Sequence, residues 1–161
     1  TAFILGKYAG LTLTLFVNLS IMLAVFLATL LLYRMPISAS LLQAVALIFV
    51  EILVVTAVAL VFSTFSSTTL SAILTLGMYV IGHLTADIRS LASNSESVAA
   101  KALVNVFYYL VPNLEMLNIK GQAAVGLLVT PQYLTLAIAY GMLYVAVLLS
   151  AACWIFRQRD F

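Results

Sequence analysis

The stretch "ALIFVEILVVTAVALVF", Ala46–Phe62, carries a single charge, Glu51. It has no alternation of polar and apolar residues, so it does not read as a half-buried strand. As a helix it would be apolar on every side, which in water is tolerable only deep inside a large protein. The rest of the chain gives no such shelter. Of 161 residues, 65% are hydrophobic and 7% are charged, against about 25% charged in an ordinary soluble domain. That leaves too little polar surface to cover a water-soluble particle, and a lipid bilayer becomes the expected solvent. Sparse charge also excludes the basic stripe of a nucleic-acid binder.

Outward from this stretch, four runs reach the ~20 apolar residues that cross a hydrocarbon core. They cover residues 8–33, 41–65, 69–88 and 132–156. The expected fold is all-α, a polytopic transmembrane bundle of four spanning helices with short re-entrant or interfacial helices. Helices satisfy their own backbone groups, as lipid demands. Arg34 and Pro36 close the first run, and Pro131 opens the last at a first-turn position. One helix from Leu41 to Thr85 would be roughly 65 Å long, too long for a bilayer. It must therefore turn, and Ser66–Thr69 is the place where hydroxyls compete with the backbone ladder.

Residues 90–130 differ. "ALVNVFYYLV", Ala102–Val111, is apolar but too short to span, and Pro112 stops it. Tyr108 and Tyr109 suit the headgroup level, where amphipathic rings settle. Pro112, Asn113 and Glu115 follow in a mixed segment. The pattern is that of re-entrant or interfacial pieces. Four spans put both ends of the chain on one side. Lys7, Arg157 and Arg159 are basic there, which predicts a cytoplasmic location for both ends. Arg34, Arg89, Lys101 and Lys120 would lie outside and count against this. Thr1 is not a Met, and the first ten residues read like a cut inside a longer protein.

Glu51 is ten residues past Leu41, about 15 Å into its helix. Asn18, from the preceding span, reaches a similar depth, so an Asn18–Glu51 hydrogen bond is expected. Such a carboxylate should face protein or water rather than lipid. It is either a polar clasp between helices, worth about 1 kcal/mol, or part of a translocation path. His83 and Asp87, four residues apart, share a face of the third run and read as a polar pair at its outer end. One His and one Asp make no metal site. Gly6/Gly10 and Ala137/Gly141 are small-x-x-x-small pairs that permit close helix approach. Cys153, the only cysteine, reads as a small buried hydrophobe. Neither a phosphate-binding G-x-x-x-x-G-K-[ST] nor a G-x-G-x-x-G nor an H-E-x-x-H occurs, so no catalytic residue and no cofactor of its own are expected.

The end of the chain, "WIFRQRDF" (Trp154–Phe161), resembles the closing stretch of ABC-2 type transporter permeases. "FILGKYAG" (Phe3–Gly10) is similar to the start of that family's third membrane helix. "VALVFSTFSS" (Val58–Ser67) is similar to the end of its fourth, and "YLVPNLEMLNIKGQ" (Tyr109–Gln122) to its outer region between the fifth and sixth. The resemblance covers nearly all of residues 1–161. It implies a partial, C-terminal ABC-2 transmembrane domain in a prokaryotic inner membrane, holding helices three to six, with short outer re-entrant helices over residues 90–130. It also implies a permease subunit of an ATP-driven exporter. A separate cytoplasmic ATP-binding subunit would hold ATP and Mg, and a second permease copy or homologous permease would be a partner, along with membrane lipid. It assigns no substrate role to Glu51 or His83. Two other readings stay open: a proton- or ion-coupled secondary transporter using Glu51, and a membrane anchor or assembly subunit that does not transport.

Overall fold

The computed structural model describes residues 2–85 and 111–159. The described chain is helical, with no strand among these residues. Helix α1 runs Ala2–Leu32, α2 Ala39–Phe65 and α3 Thr68–His83. A 3-10 turn, Leu114–Leu117, and a short helix α4, Lys120–Ala124, lead to α5, Pro131–Arg159. Three of these helices, α1, α2 and α5, are long and apolar enough to cross a membrane. Their 31, 27 and 29 residues give lengths of about 40 to 47 Å at the standard rise.

The run expected at 69–88 forms α3, a 16-residue apolar helix. Its length of about 24 Å falls short of the hydrocarbon thickness of about 30 Å, and residues 86–88 lie outside the described segments. The turn between α2 and α3 falls at Ser66 and Ser67, inside the expected serine-threonine cluster. Ser67 caps α3 by accepting from the Leu70 N–H at 3.4 Å.

Helix α2 is the spine. Tyr8 donates to the Leu53 carbonyl at 3.1 Å, Phe16 meets Phe49 edge to face, and Ile4 packs with Leu60 and Ala152. Helix α1 therefore runs antiparallel to α2. The opposite pairing of residues 51 and 83 makes α3 antiparallel as well. Val129 and Gln43 exchange two hydrogen bonds, and Ala152 lies against Leu60, so α5 runs parallel to α2. The start of α1 and the end of α5 thus share one end of the bundle, where the Phe3 and Phe156 rings stack at 5.9 Å. This agrees with the expectation that Lys7 and the Arg157–Arg159 tail lie together. Lys7 itself sits inside α1 rather than ahead of it.

The core is the α2–α5 seam. Ala44, Leu47, Val50, Val54 and Ala57 bury against Ala137 and Val145. Gly141 makes the close approach possible, because a Cβ there would overlap Val50 Cγ1. The Ala137/Gly141 pair is therefore a packing element. A Cβ at Gly6 or Gly10 would meet nothing within 4 Å beyond its own helix. Cys153 is half-buried beside Ile4, Leu60 and Ala152. Helix α1 ends with Arg34 in the left-handed region (φ 54°), with the Met35 N–H bonded to the Leu30 carbonyl. This is a Schellman-type cap, normally held by glycine.

The outward faces suit an apolar solvent. Thr14, Ser20, Thr29 and Ser150 are exposed, and each donates its hydroxyl proton to its own helix's carbonyl four residues back. Around them stand Phe3, Leu13, Ile21, Met22, Leu136, Leu143 and Trp154, each more than half exposed.

Gly141→Ala should lower stability in detergent by about 1 kcal/mol, the overlap outweighing the gain in helix propensity. Gly10→Ala, in open space, should be neutral or stabilising. In a double-mutant cycle, Val50→Ala should recover most of the Gly141→Ala loss. Additive losses in thermal unfolding would place the contact elsewhere.

Candidate functional site: a charged cluster at mid-helix

Glu51 lies on the most buried face of α2, one turn beyond Leu47 and beside Val50 and Val54, and is 5% exposed. An ionised carboxylate in such a place needs partners. Two arrive from different elements. His83, the last residue of α3, brings Nε2 to 3.3 Å from Oε1. Lys120, the first residue of α4, donates from Nζ to Oε2 at 3.4 Å. Despite this approach, the buried His83 Nε2 makes no hydrogen bond. The other ring nitrogen, Nδ1, lies 3.1 Å from the Tyr79 carbonyl. A carbonyl only accepts, so Nδ1 carries a proton. The Tyr79 ring leans on the imidazole at 4.4 Å between centroids.

Residues 111–119 bring Lys120 into place. Gly82 lets the chain pass, since a Cβ there would crowd the Pro112 carbonyl and Leu114. Leu114, Leu117 and Ile119 then bury against the upper half of α2. The Asn113 N–H donates to Tyr140 Oη at 2.9 Å and Tyr133 donates to the Met116 carbonyl at 2.9 Å, tying the segment to α5. Pro112 is buried, Glu115 is exposed, and the Asn113 Oδ1 is buried with no hydrogen-bond partner. Gly126 (φ 74°) closes α4, and Val125, Leu127 and Leu128 beyond it stand exposed.

Two expectations need correction. Asn18 does not reach Glu51; it is exposed. Depth along the helix was right, but the face was not. The α1 residues turned toward the bundle are Ile4, Tyr8, Thr12, Leu15, Leu19, Leu23, Leu27 and Leu30, and Asn18 is about 100° round from Leu19. His83 stands beside Glu51 at mid-helix rather than at an outer rim. Asp87, its expected partner, lies outside the described residues, as do Tyr108 and Tyr109. Lys120 escaped notice because 69 residues separate it from Glu51, and nothing local marks such a pairing. Among the described residues no group of three metal-ligating side chains occurs.

Chemically, the cluster ties three elements to one carboxylate. It can open only by stripping Glu51 of a partner or by supplying another cation. No family model, curated protein or solved structure matches the chain.

The two halves of the ion pair are unequal. The Lys120 side chain is 48% exposed and Glu51's is 6% exposed. Lys120→Met should therefore cost more stability than Glu51→Gln, since water can take up a released lysine but not a stranded buried carboxylate. A difference of about 1–2 kcal/mol is expected for the full chain in mild detergent. The reverse order would show that the carboxylate is reached by water.

Proposed function

We propose that this chain is part of the membrane permease subunit of an ATP-driven exporter of the ABC-2 type. In this reading the run 69–88 would be the third of four crossings, and residues 90–130 would supply the outer re-entrant pieces. The two ends of the chain would face the cytoplasm of a prokaryotic cell. The observation that carries the reading is the segment 111–130, which packs between α3 and α5 against the upper half of α2. The sequence resemblance gives short outer helices to this part of the chain, and a segment folded back against the long helices supports that reading. The motifs at Phe3–Gly10, Val58–Ser67, Tyr109–Gln122 and Trp154–Phe161 support it from the sequence.

ATP binding and hydrolysis would belong to a separate cytoplasmic subunit, and a second permease copy or homologous permease would complete the path. The outward face of α1 suits such a neighbour: Gly6 and Gly10 are open, and Asn18 is exposed. Movement driven from the cytoplasmic end would shift α3 against α2. The Glu51–His83–Lys120 cluster would resist that shift or re-pair during it.

The contact between Glu51 and His83 at 3.3 Å also favours a second reading, a proton-coupled transporter in which this pair carries the proton. The two readings part cleanly in reconstituted vesicles holding the full-length protein and its neighbouring ATPase subunit. An exporter of the proposed type stops when hydrolysis by the ATPase is blocked and continues when the proton gradient is collapsed. Loss of flux with the gradient, abolished further by Glu51→Gln, would replace it with the second reading. Topology is checked separately. A cysteine at exposed Asn118, in a Cys153→Ser background, should react with an impermeant maleimide from outside the cell. Labelling from the cytoplasmic side alone would invert the orientation.

A further inference from the structure

A groove of about 600 Å³ lies between α1, α2 and α3, at the end of the bundle away from α4. Its volume is that of a site for one small amphiphile. Its lining is apolar at Leu11, Val55, Leu60, Leu76 and Tyr79. It also carries hydroxyls from Ser63, Ser66, Ser71 and Thr75. Ser63 donates to the Leu60 carbonyl, Ser71 to Ser66 Oγ and Thr75 to the Ser71 carbonyl. Their protons are thus spent, while their oxygens keep lone pairs for a ligand's hydroxyls or for water around it.

Lys7 is the charged residue on this lining. Tyr8 is level with Leu53 and Ile4 with Leu60. That sets Lys7 roughly 3–14 Å from Glu51 along the bundle. A bilayer centred on the middle of α2 puts this within the ~15 Å half-thickness of the hydrocarbon. A cation at that depth needs an anion or a wet cavity. Among the described residues the acids are Glu51, already paired, and Glu115, exposed in the outer segment.

We infer that this groove binds an anionic glycerophospholipid, its phosphate on Lys7 and its headgroup hydroxyls on the hydroxyls of Ser63, Ser66, Ser71 and Thr75. One acyl chain lies along Leu11, Val55 and Leu76 toward Tyr79. A free anion would leave the apolar lining uncovered, and a neutral lipid would leave Lys7 unpaired. The inference rests on a bilayer surrounding these helices and not on the exporter reading.

The test uses the full-length protein in neutral detergent, titrated with phosphatidylglycerol or phosphatidylcholine, with bound lipid counted by native mass spectrometry. One phosphatidylglycerol should be retained about fivefold more strongly than phosphatidylcholine, the preference one basic residue supplies. Lys7→Gln should abolish the preference and Lys7→Arg should keep it. Arg157→Gln, on the tail, should leave it unchanged. Ala72→Phe, which fills the groove, should reduce retention of both lipids. A preference that survives Lys7→Gln, or that disappears with Arg157→Gln, overturns the site. Should Lys7→Gln fail to fold, unchanged retention in Ala72→Phe overturns it as well. Neither readout depends on ATP-driven flux, so failure here and failure of the exporter reading are distinguishable.

Discussion

A carboxylate in the middle of an apolar helix organises this molecule. Glu51 is 5% exposed, and an unpaired charge so placed would cost several kcal/mol. One oxygen pairs with the Lys120 ammonium from α4, and the other lies 3.3 Å from the His83 ring of α3. Those two contacts set where α3 must lie and how far the 111–130 segment must descend. The remaining packing follows from that geometry. Gly82 is small because the Pro112 carbonyl passes against it. Leu114 and Leu117 are buried because the descending chain covers the upper half of α2. Below Glu51 the same helix is covered by α3 and α1, and along its whole length by α5.

Much of this was legible in the sequence, for reasons that are local. The long apolar runs gave α1, α2 and α5 with boundaries a few residues off. The turn after Phe65 follows from the length limit of a bilayer and from the hydroxyl cluster. Pro131 marked the start of α5, and the Ala137/Gly141 spacing marked its buried seam. Of the third run, the described residues hold a 16-residue apolar helix, Thr68–His83, and residues 86–88 lie outside the described segments.

The site was half legible. Glu51 stood out because any charge in such a run must be accommodated. Its partners did not stand out. Asn18 lay at the right depth on the wrong face, and α1 is so uniformly apolar that its inward stripe leaves no trace in residue type. Lys120 sat in a segment that reads as polar surface, and only tertiary structure carries it across 69 residues to the carboxylate. His83 was visible, but its local neighbour Asp87 suggested a pairing within one helix instead of one between two.

The folded-back hydroxyls on the outside of α1 have a consequence for whatever lies against it. Thr14, Ser20 and Thr29 have turned their protons inward, so over most of its length this surface offers shape alone, and a neighbouring helix could slide or rotate on it at little cost. Asn18 is the exception. Its amide keeps donors and an acceptor facing hydrocarbon, and a neighbour that meets them gains about 1 kcal/mol which a shifted neighbour forgoes. One residue thereby works as an alignment key, fixing the axial and rotational register of an otherwise featureless wall.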